Sequence, residues 1–163
     1  MTEETAPQQE APATEYNDDF DLDSDYKPVP LIPAGEYQGN IVEARLDDQI
    51  GAIVIVGQLQ NNPEQVCSDG ETPVDGQSVA LKIWLPKSGD ENTMTPKGTQ
   101  TKRQWKLNNI KDTLDKLGIV APTMTAIRDQ IASGEWLRDG VLISVEVSTY
   151  KGQVSNDARS ITA

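Results

Sequence analysis

Residues 101–118, TKRQWKLNNIKDTLDKLG, decide how the rest of the chain is arranged. Leu107, Ile110, Leu114 and Leu117 recur at the three- and four-residue spacing of one helix face, and Gly118 stands where a helix is terminated. The spacing predicts a helix. On the same wheel, at about 100° per residue, Trp105 falls far from the apolar stripe and near Lys102, Asn109 and Lys116. Between positions 97 and 116 there are six bases (Lys97, Lys102, Arg103, Lys106, Lys111 and Lys116) against Asp112 and Asp115, the densest basic stretch of the chain.

Working outward, the flanks read as strands. AGEYQGNIVEARLDD (34–48) is a first strand in which Gly39 marks a bend or bulge. AIVIVGQLQ (52–60), rich in β-branched residues and short, is a second. A polar loop over 61–77 follows, long enough to suggest mobility or function. SVALKIWLP (78–86) alternates, with Val79, Leu81, Ile83 and Leu85 pointing one way and Ala80, Lys82 and Trp84 the other. Beyond the helix, PTMTAIRDQIASG (122–134) predicts a second, shorter one. GVLISVEVSTY (140–150) turns Val141, Ile143, Val145 and Val147 inward, YKGQ reverses the chain, and VSNDARSIT (154–162) is a last strand. The class is mainly β. A helix between the third and fourth strands of a five-stranded antiparallel sheet is the layout of the OB-fold barrel, which commonly binds oligonucleotides. An SH3-like barrel or a β-sandwich accommodates the helical insertion less well.

Charge is unevenly placed. The chain of 163 residues carries a formal net charge of −12, from 26 acids and 14 bases. Nine of the acids and none of the bases lie in residues 1–26, which leaves 17 acids against 14 bases, a net of −3, in the remainder. The first 29 residues therefore read as a disordered acidic tail and a Pro-rich arm, KPVPLIP leading into a folded domain over 30–163. No run approaches a membrane span or a signal peptide, so a cytosolic location is expected. Histidine is absent and Cys67 is the single cysteine. That removes Ser-His and Cys-His nucleophile pairs, the commonest metal ligand and any intramolecular disulfide. With no GxSxG, GxxxxGK[ST] or GxGxxG motif either, the expectation is a protein that is not an enzyme and holds no cofactor or metal. DFDLDSD (19–25) alternates aspartates, but counted from Asp19 an EF-hand would need glycine and glutamate where Ser24 and Pro30 stand.

IPAGEYQGNIVEA, DGQSVALKIWL, LNNIKDTLDKLGI and WLRDGVLISVEVSTYKGQVSNDARSI together resemble phage-encoded OB-fold single-stranded DNA-binding proteins, over about residues 30–161. The resemblance implies binding of single-stranded DNA in phage replication or recombination, in the cytoplasm of an infected bacterial host, with no catalytic residues. A homo-oligomer stays open.

Binding a single strand calls for cations along the phosphates and aromatic faces for the bases, and the chain has only eight aromatic residues, three Trp, four Tyr and one Phe. Lys82 and Trp84 lead, because they share the face opposite the aliphatic row of the third strand; the competing reading packs Trp84 under the helix or the long loop. Lys87, just after that strand, joins them as a candidate. Lys102, Arg103, Trp105 and Lys106 form the helical candidates, with Trp105 alternatively capping the barrel. Tyr150 and Lys151 occupy the turn between the last two strands, a loop OB-folds use for ligands, or form a plain hairpin. Tyr37 and Arg45 are weaker candidates, Arg45 with a neighbouring carboxylate as its alternative partner. In the tail, Tyr16, Asp18, Asp19, Phe20, Asp21, Asp23 and Asp25 imitate a short single strand, carboxylates for phosphates and rings for bases. That pattern suits a hook for phage or host replication and recombination proteins that competes with DNA; a solubilising leader is the plainer alternative. The alternative function is a phage structural or protein-interaction module, or an acidic DNA mimic.

Overall fold

The computed structural model describes residues 15–60 and 64–163. The expectations for residues 1–14, with Glu3, Glu4 and Glu10, and for positions 61–63 of the long loop lie outside the described residues. Five strands, β1 (Gly35–Asp47), β2 (Ala52–Gln60), β3 (Ser78–Trp84), β4 (Arg138–Tyr150) and β5 (Gln153–Thr162), form one antiparallel sheet in the order β3-β2-β1-β4-β5. Three helices accompany it: a single turn α1 (Leu22–Asp25), then α2 (Lys102–Leu117) and α3 (Met124–Ala132). None of these is long and apolar enough to cross a membrane.

The sheet bends far enough to bring its edge strands β3 and β5 near each other, and β1 at its centre is irregular. Its first half is laddered to both β2 and β4, while its second half runs on with β2 alone. A register shift between Ile41 and Glu43 leaves Val42 as an extra residue, and a second, opposite Asn40, admits Asp139 and Gly140 in β4. The expected bulge at Gly39 is thus displaced by one to three residues, and Gly39 itself has a different task. A β-carbon there would lie 2.3 Å from the carbonyl oxygen of Gln58 and 2.7 Å from Cδ1 of Ile143. Glycine is required by close approach of two backbones. Gly57, on the neighbouring strand, opens room for the same Ile143 side chain, whose Cδ1 stands 2.6 Å from where its β-carbon would be.

The core fills the concave side of this sheet: Ile41, Ile53, Ile55, Leu59, Val79, Leu81, Ile83, Val141, Ile143, Val145 and Ile161 are buried, closed at one end by Leu114, Leu117, Ile127 and Trp136. α2 begins at an N-cap, Thr101, whose hydroxyl accepts from the Gln104 amide, and stops at Gly118 in the left-handed region. Two apolar positions depart from expectation. Val147 is exposed where β4 and β5 near their turn, and Leu107 is exposed in the N-terminal half of α2, whose buried residues, Leu114 and Leu117, lie toward its other end.

The expected closure into a barrel is not made. β3 and β5 approach each other, but among the described residues no ladder joins them. β3 is only seven residues long and β5 carries a bulge where its facing edge would have to pair. α2 instead packs across both strands.

The loop beyond position 63, whose length suggests mobility or function, is tied to the body of the fold by burial and hydrogen bonds. Cys67 and Val74 are buried, the Cys67 amide donates to Thr72, and the Ser68 amide and hydroxyl bind the backbone of Leu31. Burial, and secondarily the nearby Asp69 carboxylate, push the Cys67 thiol above its ordinary value. The Pro-rich arm is fastened on its other side by Asn156, which accepts from the Ile32 amide at 2.7 Å and donates to its carbonyl at 2.9 Å. Tyr37 donates to the Pro33 carbonyl at 2.6 Å.

Candidate nucleic-acid interface

Trp84 ends β3 on its outward face, Trp105 lies on the first turn of α2, and because α2 packs across β3 the two indoles are brought together. Neither is core: they are 41% and 42% exposed, so packing under the helix and capping of the sheet are both ruled out as complete descriptions. They wall a groove of ≈ 640 Å³ with Lys87, Lys97, Lys102 and Lys106. Trp84 also lines a second groove of ≈ 770 Å³ running along β3 toward the β4–β5 hairpin, with Ala80, Lys82, Tyr150 and Val154. Trp84 is therefore the junction of a surface that stretches from the hairpin tip to the start of α2.

The cations on this surface are largely unoccupied. The four ion pairs among the described residues are Arg45–Glu43, Lys106–Asp90, Lys111–Asp115 and Lys116–Asp112. Lys82, Lys87, Lys97 and Lys102 take part in none of them, which leaves their charge available to an anion. Lys106 differs from its expected role. Its Nζ lies 2.6 Å from Asp90 Oδ2, the same oxygen that accepts the Lys87 amide at 2.9 Å. Both partners are well covered, so Lys106 fastens the turn Asp90–Asn92 to α2 and shapes the groove wall. The Lys106 hydrogen bond, then the Lys87 amide, hold the Asp90 carboxyl below its ordinary value.

A depressed carboxylate stabilises the fold fully above its unfolded value of 3.8 and loses that contribution as pH falls through the lower folded value. Removing one member of a covered pair leaves the other charge uncompensated. Lys106→Met is expected to lower Tm by roughly 5–15 °C near neutral pH, and adding Asp90→Asn to recover much of it. Thermal melts followed by circular dichroism from neutral pH to below the carboxylate range check both, since the penalty of the single variant should shrink in acid.

The other candidates are placed as follows. Arg103 is exposed on α2 and lines neither groove. Tyr150 and Lys151 form the tip of the hairpin, where Lys151 at φ 49 and Gly152 at φ 78 make the tight two-residue reversal. The Lys151 ammonium sits 5.4 Å from the Tyr150 ring centroid, so one face of that ring already has a cation. Glu146 and Asp157 line the groove beside them, which makes the hairpin end less favourable to phosphate than the α2 end. Tyr37 is buried, Arg45 pairs with Glu43 at 3.1 Å, and neither lines the two grooves. In the tail, Tyr16, Phe20 and Tyr26 are exposed along with Asp18, Asp19, Asp21, Asp23 and Asp25. Within the stretch expected to be disordered, α1 forms a single turn, which Asp21 caps by accepting from the Asp23 amide at 2.9 Å.

Two site residues were not singled out from sequence. Lys97 was counted among the bases, but only the loop before α2 brings it to Trp105. Arg159 reaches Trp84 and Trp105 from β5. The sequence offers only apolar Ala158 and Ile161 three apart in a strand; the structure buries both, with an extra residue between them. No protein-family model matches this chain, and comparison with curated proteins finds no match.

Proposed function

We propose that this chain is a non-enzymatic single-stranded DNA-binding protein of phage replication or recombination, working in the cytoplasm of an infected host. The observation that carries this reading is the pair of half-exposed indoles, Trp84 and Trp105, in one groove with the unpaired Lys87, Lys97 and Lys102. Flat rings beside free cations meet the two demands of a flexible polyanion with π-faced bases. Three strands, helices and two strands in the order β3-β2-β1-β4-β5 support an OB-like, partly open barrel, a fold that uses its β2–β3 face and its β4–β5 loop for oligonucleotides. The net charge of −12 does not oppose the reading, because affinity follows the phosphates locally contacted rather than the total charge. The exposed acidic and aromatic residues 15–26 are the proposed hook for replication or recombination partners, and a competitor of DNA for the same surface.

Titration with oligo-dT at two ionic strengths, read by tryptophan fluorescence, tests the proposal. Quenching that weakens with salt is expected, and it should saturate short of completion, because Trp136 is 1% exposed with its indole N–H donating to Gln130. Deleting residues 1–26 should tighten the low-salt curve. An unchanged signal at low salt would instead favour a protein-interaction module or DNA mimic.

A further inference from the structure

Besides the lysine groove, Trp84 and Trp105 also wall a smaller recess of ≈ 250 Å³ whose polar lining is Lys82, Asn109, Asp112, Thr113 and Arg159. This is below the roughly 300–1,000 Å³ of pockets that enclose a drug-sized ligand, and is the scale of a single base. Its chemistry differs from that of the neighbouring groove. There the charged lining is four lysines and one carboxylate, Asp90, already held by Lys106, a balance suited to phosphate; here a guanidinium and a carboxylate, with Lys82, share one small space beside the two rings.

Arg159 is brought there by a defect in the ladder. Ser144 pairs with Ser160 and the next residue, Val145, pairs with Ala158, so Arg159 is the extra residue of a bulge in β5. Bulges re-aim a side chain that regular alternation would send elsewhere. Arg159 makes no ion pair among the described residues. Asp112 is oriented from outside by Lys116, 3.0 Å from its Oδ2, which leaves Oδ1 and the remaining lone pairs of both oxygens for a ligand.

Building on the single-strand reading above, we infer that this recess reads one base and prefers guanine. An unstacked base exposes both its Watson–Crick and its Hoogsteen edge to side chains. Guanine alone offers two adjacent donors, N1–H and the 2-amino group, to a carboxylate, and two adjacent acceptors, O6 and N7, to a guanidinium. Adenine turns its amino group toward the arginine, while thymine and cytosine give the carboxylate a single donor group and have no N7. Asp112 is assigned the Watson–Crick donors and Arg159 the O6–N7 pair, with the ring held by Trp84 and Trp105.

The test compares, with the full chain, oligo-dT and the same oligomer carrying one central guanosine, adenosine or inosine. Guanosine is expected to tighten binding roughly tenfold over thymidine, and inosine, which lacks the 2-amino group, to lose most of that gain. Asp112→Ala and Arg159→Ala, both at exposed positions, should each bring the guanosine-to-thymidine ratio close to one. If oligo-dT binds and guanosine adds nothing, or if the preference survives both substitutions, the recess is not the reader although the protein still binds single strands. If none of the oligomers binds, the single-strand reading falls and this inference with it.

Discussion

Trp84→Ala is expected to weaken oligo-dT binding by roughly 5- to 150-fold, the range that corresponds to one lost base stack of about 1–3 kcal/mol. Trp84 is chosen first because it is the ring common to the lysine groove, the hairpin groove and the base-sized recess. Trp105→Ala should cost a similar factor, and the two together more than either. Changing Lys87, Lys97 and Lys102 to alanine should act on a different observable. Each phosphate contact removed lowers the slope of log K against log salt by about 0.7 on a single strand, so the triple variant should flatten it by about 2. Filter binding or fluorescence anisotropy across a salt series separates the two effects. If the tryptophan variants bind like the parent while the lysine variant does not, the rings are not stacking platforms and attraction is purely ionic.

The second large effect concerns folding. Gly39→Ala places a methyl 2.3 Å from the Gln58 carbonyl oxygen, a backbone atom inside a paired strand that has no rotamer to escape into. A destabilisation of about 3 kcal/mol, or roughly 6–12 °C in Tm, is expected. Gly57→Ala provides the contrast. Its nearest obstacle is the terminal methyl of Ile143, and Ile143→Val removes that atom. The pair Gly57→Ala with Ile143→Val should therefore be more stable than Gly57→Ala alone, although Ile→Val by itself costs about 0.5–1.5 kcal/mol. Denaturant melts of the four variants check the comparison. A Gly39→Ala protein within about 1 kcal/mol of the parent would mean that β1 and β2 can separate without penalty.

How much of this was legible beforehand depended on whether the determining interaction was local. The bounds of β2 could be read from its β-branched run, and the end of α2 from Gly118, because strand propensity and caps act over a few residues; the start of α2 stays open in the sequence. The outward placing of Lys82 and Trp84 followed from strict alternation in β3. Val147 failed because alternation reports which face a residue takes and not whether the strand still has a core beneath it. The pairing of Lys106 was not legible because its partner, Asp90, lies sixteen positions away in a loop whose path no periodicity describes. The open seam was hidden for a related reason: strand count and order suit a barrel, but closure depends on the length of β3 and on a one-residue shift in β5.

That seam has a bearing on how the molecule behaves in crowded solution. A sheet that stops short of closing keeps two rows of unmatched amides and carbonyls, the template on which foreign strands add and fibres grow. Here α2 roofs both rims, so the helix that carries Trp105 also acts as a guard against self-templating. Loosening its grip would expose sticky borders long before the interior melted, and turbidity rather than loss of ellipticity would be the first symptom.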